Sequence, residues 1–392
     1  MTVISGRGRI DALDVLRGVA IVGTFGTNVW LFAAPGGPAA WISTAFSESD
    51  PLEIALQTLT NGKFLALLTL LFGVGIELQY RSAVRRGNPW PGRYPVRAAI
   101  LFVEGLVHYV LVFEFDVLMG YAIASFLVAY LVGRSDRAVR AVAGAVGAVY
   151  VAALLAVTAL LLATPDASGS GSTPDPALTA SWPRQVLLRL EYVALFRAEL
   201  VLIVPSAVVL FLVGSRLVRA GAFTEAGTRI RRRLMGVGLG VGVPLNALAA
   251  AAGPGWFLVD RYLAPPLVAL GLLGLGTTLV LRGRREPGPI RRGLTAVGRT
   301  ALSGYVLQNV LAAVLCYGWG FGLAERFAGA GPWFVLALWA GVSALLLAVA
   351  PLWLRHVDRG PLELLVHRIT FAGSARNRAG SAVPAQSGRH DL

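Results

Sequence analysis

Of the four histidines in the chain, only His108 lies inside a long apolar run; His356, His367 and His390 follow the last such run. An imidazole can take or give a proton near neutral pH. Glu104 stands one helical turn before His108, and Asp116 follows it in the sequence. A carboxylate beside an imidazole fixes its tautomer and stabilises its protonated form, which is how hydroxyl and amine nucleophiles are activated. Read as a helix, the run over 97–113 puts Arg97, Glu104 and His108 on one face. In an apolar layer an ionised Glu104 needs a partner or takes up a proton. An interhelical hydrogen bond would satisfy the same groups without chemistry, so both readings stay open. His108, Glu114 and Asp116 have no second ligand cluster to join them, and no metal site is expected.

Other polar residues interrupt the apolar runs. Asp14, Arg17, Ile21, Thr24 and Asn28 are spaced by three or four and form one stripe along a helix. That stripe either lines an interior passage, or comprises an interfacial Asp14–Arg17 pair and an Asn28 bonded to a neighbouring helix. Lys63 is the only lysine; its ammonium either snorkels to an interface or meets an anionic group. Glu77 and Arg81 make an i,i+4 pair, and Tyr305, Gln308 and Asn309 form an interior polar face suited to bonding between helices.

The elements that position these groups are apolar helices. The chain has 392 residues, 56% of them hydrophobic and only 14% charged, with mean hydropathy +0.67. Soluble domains carry about 25% charged residues, so this chain lacks a polar coat. Candidate spans lie near 13–34, 62–80, 97–113, 117–133, 138–163, 195–213, 233–252, 262–281, 300–320 and 333–354, each close to the roughly 20 residues that a bilayer requires. The fold class expected is all-α, a polytopic bundle of about ten transmembrane helices within a single membrane domain over 1–371. An outer loop over 164–194, rich in Ser, Gly, Thr and Pro from Pro165 to Pro183, is expected to be flexible, with a short helix over Leu187 to Tyr192. A tail over 372–392 is expected to lack structure. The start of the chain also has the outline of a cleaved signal peptide ending at Ala33-Ala34-Pro35, but Asp14 and Arg17 fit a retained helix better.

The net charge of +14 does not indicate nucleic acid, because the basic residues cluster between apolar runs. Of the 35 basic residues, 29 precede or open the first span, follow the last or cluster around alternate loops. The positive-inside rule then puts both ends in the cytoplasm. Lys63, Arg184, Arg189, Arg197, Arg261 and Arg326 fall on the other side, with Glu48, Asp50, Glu53, Glu114 and Asp116. Cys316 is the only cysteine, so no disulfide within the chain is expected. The glycines at 236, 238, 240 and 242, and at 271, 274 and 276, suit close helix packing. Gly73 and Gly75 follow no strand, which excludes a dinucleotide fingerprint.

Several of these residues also stand in recognisable motifs. Arg9, Leu13-Asp14, Leu16-Arg17-Gly18, Ala20 and Asn28 resemble the opening of the YeiB-like bacterial membrane proteins, a family labelled as a domain of unknown function. Gly62-Lys63-Phe64, then Leu71-Phe72-Gly73-Val74-Gly75 and Arg81, resemble its second motif. Gly105-Leu106, His108, Asp116, Leu118 and Tyr121-Ala122 resemble its third. Gly298-Arg299-Thr300-Ala301-Leu302, Tyr305 and Gln308, then Gly360-Pro361-Leu362-Glu363, resemble its carboxyl-terminal signature. Phe113 and Phe115 stand where Trp and Gly are commoner, and Leu364 and Val366 replace tryptophans. Glu104 belongs to none of these motifs.

The first-span motif is also similar to that of a wider group of membrane acyltransferases, including O-acetylating enzymes and the heparan-α-glucosaminide acetyltransferases. The resemblance implies location in the bacterial plasma membrane and transfer of an acyl group from a cytosolic acyl-CoA to an acceptor near the outer face. The acceptor would be a glycan, lipid or small molecule, with no permanently bound cofactor. The O-acetylating relatives carry a histidine where this chain has Asn28, as the heparan relatives do; an amide hydrogen-bonds but is no base. His108 is therefore expected to be the base, Glu104 or Asp116 its orienter, Asn28 and Lys63 the oxyanion donors, and Asp14, Arg17 and Arg97 the donor-binding group. A transporter of a small or lipid-like molecule, and a non-catalytic component of an envelope or biosynthetic assembly, are the alternatives.

Overall fold

All ten apolar runs fold as helices. The structure is a computed structural model that describes residues 6–44, 51–163, 176–283 and 286–380. Its helices begin with α1 (Gly6–Ala33), α2 (Gly37–Thr44), α3 (Pro51–Thr60), α4 (Lys63–Arg85), α5 (Tyr94–Leu111) and α6 (Leu118–Leu131). Next come α7 (Asp136–Ala163), α8 (Trp182–Glu191), α9 (Val193–Arg197), α10 (Leu200–Arg219), α11 (Thr228–Val237) and α12 (Val243–Ala251). The last are α13 (Ala264–Arg282), α14 (Pro289–Arg299), α15 (Ala301–Cys316), α16 (Leu323–Arg326), α17 (Pro332–Trp353) and α18 (Pro361–Gly380). Among the described residues eight helical segments are long and apolar enough to cross a membrane, and α6 and α15 are shorter apolar helices. In a bilayer such helices satisfy every backbone polar group within themselves.

Helix α1 is the axis of the bundle: 72% of its apolar window is buried, against 17% for the peripheral α7. The motif glycines explain how α1 is reached. A Cβ on Gly18 would lie 2.0 Å from the Leu294 carbonyl oxygen, and one on Gly298 would lie 1.8 Å from that of Asp14. Backbone thus meets backbone where α14 crosses α1. The crossing of α4 and α10 is built likewise, through Gly73 against Phe211 and Gly214 against Leu70. Gly238 and Gly242 press on α13, whereas Gly236 and Gly240 meet no atom within 4 Å, so the expected glycine packing holds on one face only. Two helices are interrupted by π-helical turns, Gly238–Gly242 and Val259–Leu263.

Three expectations change. The basic stretch before the ninth span is not merely a loop: it forms the amphipathic helix α14, which also packs on α17. The outer loop over 164–194 is in good part ordered: α8 starts at Trp182 rather than near Leu187 and packs on α5. The tail expected to lack structure from 372 continues α18 to Gly380. Glu48, Asp50, Arg284, Arg285, residues 164–175 of the outer loop and residues 381–392 of the tail lie outside the described residues.

Candidate functional site

Helix α5 ends where the Val112 and Phe113 amides both close on the His108 carbonyl, at 2.9 and 3.0 Å. The chain then turns through Glu114-Phe115-Asp116 into α6. Asp116 serves two elements: Oδ1 accepts the Met119 amide in the first turn of α6, at 3.2 Å. Its Oδ2 lies 2.8 Å from His108 Nδ1. Asp116 is 1% exposed and His108 2%. With Nδ1–H donated to the carboxylate, Nε2 carries the lone pair. There the Asn309 side-chain amide donates at 3.3 Å, and Asn28 donates to the Asn309 side-chain oxygen at 3.3 Å. The Tyr305 ring lies beside the imidazole, with centroids 5.3 Å apart. Three sequence-distant segments thereby make one directed chain, Asn28 to Asn309 to His108 to Asp116.

The α5–α6 tip is held from outside by two arginines, which composition placed only as bases on the less basic side. Arg189 of α8 is 0% exposed. It donates to Glu114 at 3.0 Å and to the carbonyls of Val110 and Val112 at 3.2 and 3.1 Å. Arg197 donates to the carbonyl of Asp116 at 3.0 Å and to that of Glu114. A guanidinium has five N–H donors in a rigid fork, which suits it to bracing bare carbonyls at a helix end.

Asn28 marks the wall of a cavity. An inner chamber of about 740 Å³ of empty volume, part of it open to the outside, is lined by Thr24, Asn28, Thr69, Tyr121 and Tyr305 among others. An outer chamber of about 920 Å³ adjoins it through Thr27, Phe115, Glu199, Arg261 and Tyr262, which line both. Trp30, Trp41 and Phe257 add an aromatic wall to the outer chamber.

The structure redistributes the remaining expected site residues. Glu104 does not orient His108, because the imidazole turns across the hairpin to Asp116. The Glu104 carboxylate oxygens have no hydrogen-bond partner among the described residues, and its charged neighbours are Glu363 and Arg97. Lys63 does not join the histidine either. It is 7% exposed rather than snorkelled to a surface, and its ammonium donates to the Thr58 carbonyl near Asp260. Asp260 in turn accepts from Asn61 at 2.6 Å and Asn246 at 2.7 Å. The apolar run begins at 262, so hydropathy leaves Asp260 in a loop and no spacing in the sequence joins it to Lys63. Asp14 and Arg17 do pair, at 3.0 Å, with Arg299 near Asp14 and Arg97 near Arg17. Gln308 is fully buried with both amide atoms unpartnered among the described residues. Glu363 accepts the Leu302 and Ser303 amides at 2.8 and 3.3 Å, so the carboxyl-terminal motif caps the start of α15.

Comparison with known proteins agrees with the motifs. Residues 217–373 match the family described as "Protein of unknown function (DUF418)". The chain is 25% identical to "Uncharacterized protein YxaH" of Bacillus subtilis (strain 168), over 93% of this chain and 94% of that one. It is 26% identical to "Uncharacterized protein YeiB" of Escherichia coli (strain K12), over 92% of this chain and 95% of that one. No solved structure matches this chain. The chain is therefore an all-helical membrane protein similar to YxaH and YeiB over nearly its whole length, and its residues 217–373 resemble the DUF418 family.

Proposed function

We propose that this protein is a membrane acyltransferase that uses His108 as its base. The observation that carries the reading is the buried chain from Asp116 through His108 and Asn309 to Asn28, whose last member lines a cavity. Asp116 holds Nδ1–H, which leaves Nε2 able to accept a proton. The bond from Asn309 to Nε2 is long for its type, so an acceptor hydroxyl or amine can replace it at small cost. Nε2 then takes the acceptor's proton as its oxygen or nitrogen bonds to the thioester carbonyl carbon. The C–S bond breaks, and the imidazolium returns the proton to the departing thiolate. The side-chain N–H donors of Asn28 and Asn309 suit the developing oxyanion. Lys63 has no part in this step, since its ammonium is engaged beside Asp260.

The donor, an acyl-CoA-like thioester, would enter from the arginine-rich end in the cytoplasm of a bacterial cell, where Arg17 and Arg299 lie near Asp14 and Arg97 lies near Arg17. Arg17 and Asn28 share α1, and eleven residues of helix span roughly 16 Å. An extended thiol arm must bridge that length. The test is transfer of a radiolabelled acetyl group from acetyl-CoA by purified protein in lipid discs. Transfer should be present in the native chain and lost in His108→Ala.

A transporter is the second reading, favoured by the Lys63–Asp260 cluster beside a π-helical turn, since interrupted helices and buried charges serve ion and substrate pathways. Substrate flux driven by a proton gradient, without saturable donor binding, would establish it and remove acyl transfer.

A further inference from the structure

The two chambers share one ion pair, and that pair is incompletely used. Arg261 Nη2 lies 3.4 Å from Glu199 Oε1, and the two side chains are 16% and 15% exposed. The guanidinium also donates to Asn61 Oδ1 at 2.9 Å and to the Tyr262 hydroxyl at 3.2 Å. Of its five N–H groups, these contacts occupy three. Glu199 receives Arg261 and the Tyr262 hydroxyl on Oε1, and Oε2 accepts nothing among the described residues. Both residues line the cavity, and between them a carboxylate oxygen and two guanidinium N–H groups have no partner among the described residues. The rest of the outer wall is largely apolar or aromatic, from Trp30, Leu31, Trp41, Phe115 and Phe257.

Such a wall discriminates by charge pattern. A purely anionic head meets Arg261 but is repelled by Glu199, and a purely cationic one suffers the reverse. A neutral polar head can hydrogen-bond to both groups, but without the added strength of a bond between opposite charges. A head that carries an ammonium and an acidic group gains on both. We propose that the outer chamber binds an amphipathic zwitterion, its ammonium on Glu199 Oε2, its phosphate or carboxylate on Arg261, and its apolar part against Trp30 and Phe257. The binding stands on the chamber alone; that this ligand is the acyl acceptor rests on the acyl-transfer reading.

The experiment is calorimetric titration of the detergent-solubilised full chain with short-chain phosphatidylethanolamine, its phosphatidylglycerol counterpart, and free phosphoethanolamine. Saturable binding of the ethanolamine lipid, weakened roughly tenfold or more by Glu199→Gln and by Arg261→Gln, is expected, as for truncation of a hydrogen-bonded charge pair. Free phosphoethanolamine should bind more weakly than the lipid, and equal affinity for the two would overturn the apolar half of the proposal. Equal or tighter binding of the glycerol lipid, or binding untouched by Glu199→Gln, would overturn the proposal. Trp30→Ala covers the case in which either charge variant does not fold: it should weaken the lipid and spare free phosphoethanolamine, and unchanged lipid affinity counts against the proposal. His108→Ala should bind the zwitterion normally. If it binds and also still transfers acyl groups, the transfer reading fails while this one stands.

Discussion

Two buried polar clusters lie in different parts of the same helix bundle, and they are finished to different degrees. At the arginine-rich end, Glu77 is 1% exposed. Its Oε1 accepts from Arg81 at 2.8 Å and Arg219 at 3.1 Å, and its Oε2 from Ser215 at 2.7 Å and Arg219 at 3.2 Å. Asp136 adds a further contact to Arg219 at 3.2 Å. A carboxylate has about four acceptor sites, and here three donors serve them, the single Arg219 Nε–H being shared by both oxygens. Toward the other end, His108 has one short bond, to Asp116, and one long one, to Asn309. The first cluster ties α4 to α10 through the one buried Glu77 carboxylate, on which both arginines converge. The second ends in neutral amides at a cavity wall, where exchanging a partner costs little. Saturation marks the lock, and its absence marks the place where another molecule can be admitted.

The largest effect should separate them by function. His108→Ala is expected to lower acyl transfer by roughly 10²–10⁴-fold, the usual span for a general base, in a chain that still folds in detergent although Asp116 loses its short bond and keeps only the Met119 amide. A variant that still transfers normally removes His108 from the chemistry. Glu77→Ala should do the opposite. Arg81 and Arg219, 40% and 26% exposed, would lose the carboxylate that ties α4 to α10, so thermal unfolding should drop while each folded molecule keeps its activity. Full stability in that variant would mean that Arg219 finds other partners and the saturated cluster is no lock.

Smaller effects sharpen the picture. Gly18→Ala drives a methyl into the Leu294 carbonyl at the α1–α14 crossing, and overpacking of this kind costs about 1–3 kcal/mol. Denaturation of the purified variant measures it, and an unchanged midpoint would show that α14 can shift away freely. The smallest change should come from Asn309→Ala. Losing a neutral hydrogen bond costs about 0.5–1.5 kcal/mol, yet it uncovers His108 Nε2. The variant should react faster with diethyl pyrocarbonate at His108, read by mass spectrometry. A slower reaction would show that Asn309 does not cover the ring nitrogen.

By itself the sequence determined the helices and much of their company. Runs of apolar residues long enough for a bilayer can satisfy their backbone only as helices in lipid, so all-helical architecture followed from composition and length. The Asp14–Arg17 and Glu77–Arg81 pairs were legible because three- and four-residue spacing on one helix is a local property. The same rule misled at Glu104, which is one turn from His108 but lost the imidazole to Asp116 across the hairpin. Helical spacing says which residues share a face, and the rotamer and the neighbouring element decide which of them touch. Arg189, Asn309 and Glu199 reach their partners across 75, 201 and 62 residues of chain, and no periodicity encodes such separations. Those meetings depend on which helices pack together and on how closely the glycines at their crossings let them approach. The existence of a buried histidine was thus written in the chain, while its orienter, its amide relay and the cavity at the end of that relay were decided by tertiary packing alone.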